Sequence, residues 1–222
     1  MHTKPIAIFD LDGTLLDTLR DLTDSVNRTL SAYGYPARSD SEVRRFLGNG
    51  YRYLLSQALP DGIPEADKAT VLAFFKDYYA SHCLDHTGPY AGIPEMMARL
   101  QKEGWLMAIV SNKGHQAASD LCAHFFPGIL TLGESERLPR KPRPEMVFEA
   151  IRLLGGNKER AVYIGDSEVD LATARNASVP CISCTWGFRD SATLLSAGAT
   201  HLVHTPEELA DAISSLSFQS GE

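Results

Sequence analysis

The chain is poor in cysteine: Cys83, Cys122, Cys181 and Cys184 are the four in 222 residues. So few thiols in a chain this long make no disulfide framework, and they read as free. Cys181 and Cys184 do form a Cys-x-x-Cys. They sit inside the apolar run "VPCISCTW" with no second Cys pair or His pair at zinc spacing, so core packing is the first reading and a redox or metal role a distant second. No apolar stretch approaches the length that spans a bilayer, so no membrane association is expected. Positive charge is also scarce. Lys and Arg number 21 against 28 Asp and Glu, a net charge of −7, which argues against a nucleic-acid partner. The start, Met-His-Thr-Lys-Pro, lacks the h-region and cleavage site of a secretory leader, and a cytoplasmic location is the expectation. Repeats and low-complexity tracts are absent, and only the tail "SFQSGE" looks loosely held. What is present, 44% hydrophobic and 22% charged residues, suits a globular α/β domain carrying a smaller unit.

Short apolar runs recur at 6–9, 105–110, 129–132, 161–165, 180–184 and 201–203. Their length and lack of alternation predict strands buried on both faces. Helical periodicity lies between most of them, at 93–103, about 114–125, 144–155, 168–177 and 206–216. In "TPEE", Thr205 is a cap, Pro206 fits the first turn and Glu208 completes a capping box. Alternating strands and helices predict an α/β fold, a Rossmann-like parallel sheet sandwiched by helices. Residues 16–87 break the rhythm. Leu19, Leu22, Val26, Leu30 and Tyr33 recur at helical spacing, and 51–59 and 65–82 read similarly, with "FLGNGYRYL" (46–54) as an interrupting loop. The expected division is a core of 1–15 and 88–222 with an inserted α-helical cap of 16–87.

In an open parallel sheet, ligands gather beyond the carboxyl ends of the strands. Asp10 and Asp12 follow the first run there, Ser111, Asn112 and Lys113 the second, and Asp166, Ser167 and Asp170 the fourth, while Lys141 sits in the loop "PRKPRPEM". Converging carboxylates repel, and a hard cation such as Mg²⁺ relieves them: Asp10 and Asp166 can offer carboxylates and Asp12 its main-chain carbonyl. Ser111, main-chain N–H groups and Lys141 suit the equatorial oxygens of a phosphoryl group. Asp10, kept ionised, is the candidate nucleophile. Asp12, beside a negative neighbour, is the candidate acid and base. Leu11 points away, Gly13 lets the backbone approach a phosphate, and the amides of Leu11 to Thr14 form part of a cradle. Taken alone, Ser111 and Asn112 are also common turn residues, Lys141 a surface lysine and Asp170 an exposed helix residue. His115, His124, His201 and His204 share no ligand spacing, and Trp105 and Trp186 read as core or rim aromatics.

The segments "FDLDGTLLDT", "VSNK", "RKPRPEM" and "GDSEVD" resemble, in order and spacing, the four motifs of the haloacid dehalogenase-like hydrolase superfamily, in the subclass with a small helical cap. The resemblance implies Asp10 as nucleophile and Asp12 as acid and base. It further implies Ser111 and Lys141 as phosphate binders, with Asn112, Gly13 and Thr14 beside them. Asp10, Asp12 and Asp166 are the implied Mg²⁺ ligands, and Asp170 supports the metal shell. "FLGNG", "TGPYAGIPEMMARLQKEGW" and "TWGFRD" look most like phosphoglycolate phosphatases and their near relatives. A small phosphorylated metabolite is therefore the expected partner, with Arg45 and Asn49, and next to them Arg44 and Arg52, as cap groups for its non-phosphate end. A phosphomutase of the β-phosphoglucomutase kind and a non-catalytic phosphate- or metal-binding domain stay open as alternatives, as does monomer against homodimer. An intact Asp12 favours an enzyme.

Overall fold

The computed structural model describes residues 4–217; the first three residues and the tail from 218 lie outside it. Eight strands occur among the described residues: β1 (Ile6–Phe9), β2 (Leu16–Asp17), β3 (Gly88–Pro89), β4 (Leu106–Gly114), β5 (Leu130–Glu134), β6 (Ala161–Gly165), β7 (Cys181–Cys184) and β8 (Leu202–Val203). Six form one sheet in the order β5-β4-β1-β6-β7-β8, and every adjacent pair is parallel. All four residues of β1 are buried, as expected for a central strand covered on both faces. Side chains alternate across it. Ala7 and Phe9 join the core under α5 (Ile93–Lys102), α6 (His115–Phe125) and α10 (Pro206–Ser214). Ile6 and Ile8 join the opposite core under α7 (Glu145–Leu153) and α8 (Glu168–Ala177).

Four helices, α1 (Leu19–Ala32), α2 (Asp40–Phe46), α3 (Gly50–Ala58) and α4 (Glu65–His82), carry an apolar core of their own. Leu22, Val26 and Leu30 of α1 pack with Val71, Phe75 and Tyr79 of α4, each set at a spacing of four. Each such side chain contributes about 1.5–3 kcal/mol by leaving water. The chain enters this unit through β2 and returns through β3, and the two strands pair antiparallel, Leu16 with Pro89 and Asp17 with Gly88.

The structure corrects several local expectations. The segment 46–54 is not one loop, because α3 starts at Gly50, whose φ of +78° admits the turn. Two further helices were missed. In α2, Ser39 Oγ accepts from Glu42 N, and Glu42 Oε2 accepts from Ser39 N at 2.9 Å, a capping box spelled S-x-x-E in the sequence. In α9 (Ser191–Ser196), Asp190 caps Thr193 N at 2.8 Å. β4 runs on through an irregularity to Gly114, so Ser111, Asn112 and Lys113 extend a strand rather than opening a turn. Thr205 does cap α10, but Glu208 reaches back to His204 N, one residue before the cap.

Candidate active site

The carboxyl end of β1 is flanked by the ends of β4 and β6, on either side of the point where the chain reverses its direction across the sheet. Asp10 follows β1 directly. Its Oδ1 accepts from Leu11 N at 2.7 Å and pairs with Lys141 Nζ at 2.7 Å. Both donors converge on that oxygen, so Oδ2 is the atom available for a new bond. Burial first, then repulsion by Asp170, pushes the Asp10 carboxyl well above the usual range.

Lys141 is not a surface residue: its side chain is 1% exposed, and its ammonium also holds Asp170 Oδ1 at 2.8 Å. Burial favours the neutral amine there, yet the two carboxylates keep its pKa above the ordinary value. Asp170 is buried too. It accepts from Tyr163 OH (3.0 Å) as well as Lys141, and from Ser167 N and Oγ (3.1 and 2.6 Å) at the start of α8. Four donors occupy its lone pairs, so Asp170 anchors Lys141.

Asp166 accepts from Thr14 Oγ1 at 3.1 Å and from Phe188 N at 2.7 Å. Burial and Asp170 push its carboxyl up to about 7. Gly13, at φ +87°, passes so close that a Cβ would stand 2.5 Å from Asp166 Oδ2, so only glycine fits.

Asn112 forms a clamp. Its Oδ1 accepts from Lys141 N (2.6 Å), and its Nδ2 donates to Lys141 O (3.1 Å) and Gly48 O (2.8 Å). Its amide is thus committed to main chain, fixing Lys141 and the helical unit together. Ser111 Oγ accepts from Lys113 N at 3.1 Å, which leaves its proton free to donate.

Asp12 lies against a positive group, not a negative one: its Oδ1 is 3.1 Å from Lys113 Nζ, which is fully buried and donates to Tyr79 OH of α4 at 2.8 Å. Arg45 is exposed, and Asn49 is half-buried with its carbonyl accepting from Arg140. Residues to which the sequence reading gave no role also build the site. Trp186 donates to Thr14 O, the Phe188 ring packs into the helical unit, and Arg189 holds Glu168 and the carbonyls of Arg44 and Leu47. The segment "TWGFRD" carried a resemblance, but its individual roles depend on contacts across the fold.

Asp10, Asp166 and Asp170 bring carboxylate oxygens within 4.8 Å of one another, all buried. Three carboxylates against the single Lys141 ammonium leave two negative charges uncompensated, a charge that fits one divalent cation, with Asp10 and Asp166 as the donors because the Asp170 lone pairs are taken. Between the carboxylates and the helical unit lies a partly open cavity of about 30 Å³, lined by Asp10, Asp12, Ser111, Lys113 and Lys141 below and Leu47, Tyr51 and Leu54 above.

Comparison with known proteins agrees with this geometry. The chain is 36% identical over 198 residues to the phosphoglycolate phosphatase of Mesorhizobium japonicum, covering 85% of this chain and 86% of the relative. It is 35% identical over 192 residues to that of Rhodobacter capsulatus, covering 83% and 86%. A crystal structure of a Lactobacillus delbrueckii subsp. bulgaricus protein, provisionally named a phosphoglycolate phosphatase, superposes with a TM-score of 0.88 at 37% identity, covering 95% of this chain and 98% of the other. The family profile of haloacid dehalogenase-like hydrolases matches residues 7–184, a span that holds each acidic and basic group placed above at the strand ends. With its parallel sheet, helical unit and buried carboxylates in that order, the chain belongs to the haloacid dehalogenase-like hydrolase family.

Proposed function

We propose that this hydrolase is a Mg²⁺-dependent phosphomonoesterase that works through an aspartyl-phosphate on Asp10, with phosphoglycolate as its substrate. The observation that carries the reading is the Asp10 carboxylate at the end of the central strand, held through one oxygen by Lys141 at 2.7 Å with the other oxygen open. The names of the relatives support the substrate.

In the first step Asp10 Oδ2 bonds to phosphorus and the ester P–O bond breaks. The electron pair stays on the leaving oxygen, which takes a proton from the Asp12 carboxyl. In the second step water bonds to phosphorus and gives a proton to the Asp12 carboxylate. The Asp10–phosphorus bond breaks, and its electrons return to Asp10. Lys141 and Ser111 Oγ stabilise charge on the equatorial oxygens throughout. Asp10 and Asp166, with the Asp12 carbonyl, would hold the cation, which supplies charge neutralisation at the phosphoryl oxygens.

The same reading divides the chain into a core of 1–15 and 88–222 and a cap of 16–87. The β2–β3 pairing at both crossings and the separate apolar core of α1 to α4 support it. A screen of phosphoglycolate, sugar phosphates, nucleotides and pyrophosphate with Mg²⁺ tests the reading. Preferred release of phosphate from phosphoglycolate supports it, and inertness toward every monoester refutes it.

A further inference from the structure

Lys113 is a buried cation that phosphoryl transfer does not use. Two cations line the cavity among the described residues, Lys113 and Lys141, and Lys141, already paired with Asp10 and Asp170, has its remaining N–H taken by the phosphoryl group in the proposed reaction. Lys113 is not saturated. Its ammonium has three N–H groups; one donates to Tyr79 OH at 2.8 Å, while Asp12 Oδ1, 3.1 Å away, is out of line for a hydrogen bond. The rings of Tyr51 and Tyr79 wall it, at 5.3 and 4.5 Å from their centroids. The Tyr51 hydroxyl is buried in the same corner beside that ammonium and makes no hydrogen bond of good geometry, a cost that a ligand atom would relieve. Leu22, Leu47 and Leu54 offer nothing to the hydroxyls of a sugar. The arginines that could have read an anion, Arg44, Arg45 and Arg52, are exposed.

We infer that Lys113 and the Tyr51 hydroxyl receive a carboxylate on the leaving portion of the substrate, so that the site selects small phosphorylated carboxylic acids. This rests on the phosphomonoesterase reading, in which Asp12 faces the leaving oxygen. A carboxylate one methylene from that oxygen then falls within reach of the ammonium that already touches Asp12. A fully desolvated Lys–carboxylate pair discriminates strongly against the analogue that lacks the charge.

The test is the ratio of kcat/KM for phosphoglycolate to kcat/KM for ethyl phosphate, which replaces the carboxylate by a methyl group. The wild type should favour the acid by at least about a hundredfold. K113M should lower the ratio by at least about tenfold, mainly through KM for the acid, and Y51F by about threefold or more. A lysine that only supports the fold or only orients Asp12 would depress both substrates together and leave the ratio unchanged, which overturns the inference. If K113M fails to fold, Y51F decides, since it keeps the ring against Lys113 and removes only the hydroxyl. A wild type that hydrolyses both esters without preferring the acid refutes this inference alone, whereas one inert to every monoester refutes the hydrolase reading beneath it.

Discussion

At 2.7 Å from the Lys141 ammonium and buried at the end of β1, the Asp10 carboxylate can neither be moved nor replaced without loss of the reacting atom. Asp10→Asn should keep the fold and cut phosphate release by at least about 10³-fold, read from steady-state turnover beside a circular dichroism spectrum. Gly13→Ala carries a different penalty, because its Cβ must enter the space of Asp166 Oδ2 and Phe188 at a φ that L side chains avoid. It should lose about 1–3 kcal/mol in a denaturant titration and lose activity as well. The clustering of Asp10, Asp12 and Asp166 at strand ends was legible because each follows an apolar strand, whereas the negative neighbour expected for Asp12 is the Lys113 ammonium. Lys113 was not legible. It was visible after β4, but its meaning comes from Tyr79, 34 residues away on a helix whose placement no local pattern encodes.

At the scale of elements, the two ends of the helical unit are tied by one buried residue. Asp21 Oδ2 in the first turn of α1 accepts from His86 N, Thr87 N and Thr87 Oγ1, at 3.0, 2.8 and 2.8 Å, where the chain returns to the sheet. Asp21→Ala strands those donors and should cost about 2–4 kcal/mol of stability, measured by chemical denaturation. A loss below the error of the titration would show that water replaces the carboxylate. The sheet strands were readable from their apolar runs, and α1 and α4 from their period. The missed α2 and α9 are short, with a single buried residue each, and their caps, Ser39 with Glu42 and Asp190, were the only signals they carry.

At the scale of the molecule, one charge imbalance governs both stability and activity. Asp10 and Asp166 hold protons more tightly in the folded state than in the unfolded chain, Asp166 up to about 7. The folded state then binds more protons than the unfolded one between the ordinary carboxylate range and that value. Metal-free stability therefore falls as pH rises through this window, and the part due to Asp166 is fully lost above it. In EDTA the Tm should be lower at about pH 8 than at about pH 5.5, and the gain in Tm on adding Mg²⁺ should be larger at the higher pH. Equal gains at both would detach the carboxylates from the metal. Hydrolysis should disappear with the chelator and return with Mg²⁺.

The most direct test of the account is rapid acid quenching of the enzyme during turnover of phosphoglycolate with Mg²⁺, followed by peptide mass spectrometry. The account predicts one phosphoryl group on the peptide that carries Asp10, formed within the first turnover and missing in Asp10→Asn. Full turnover with Asp10 unmodified at every quench time would contradict it.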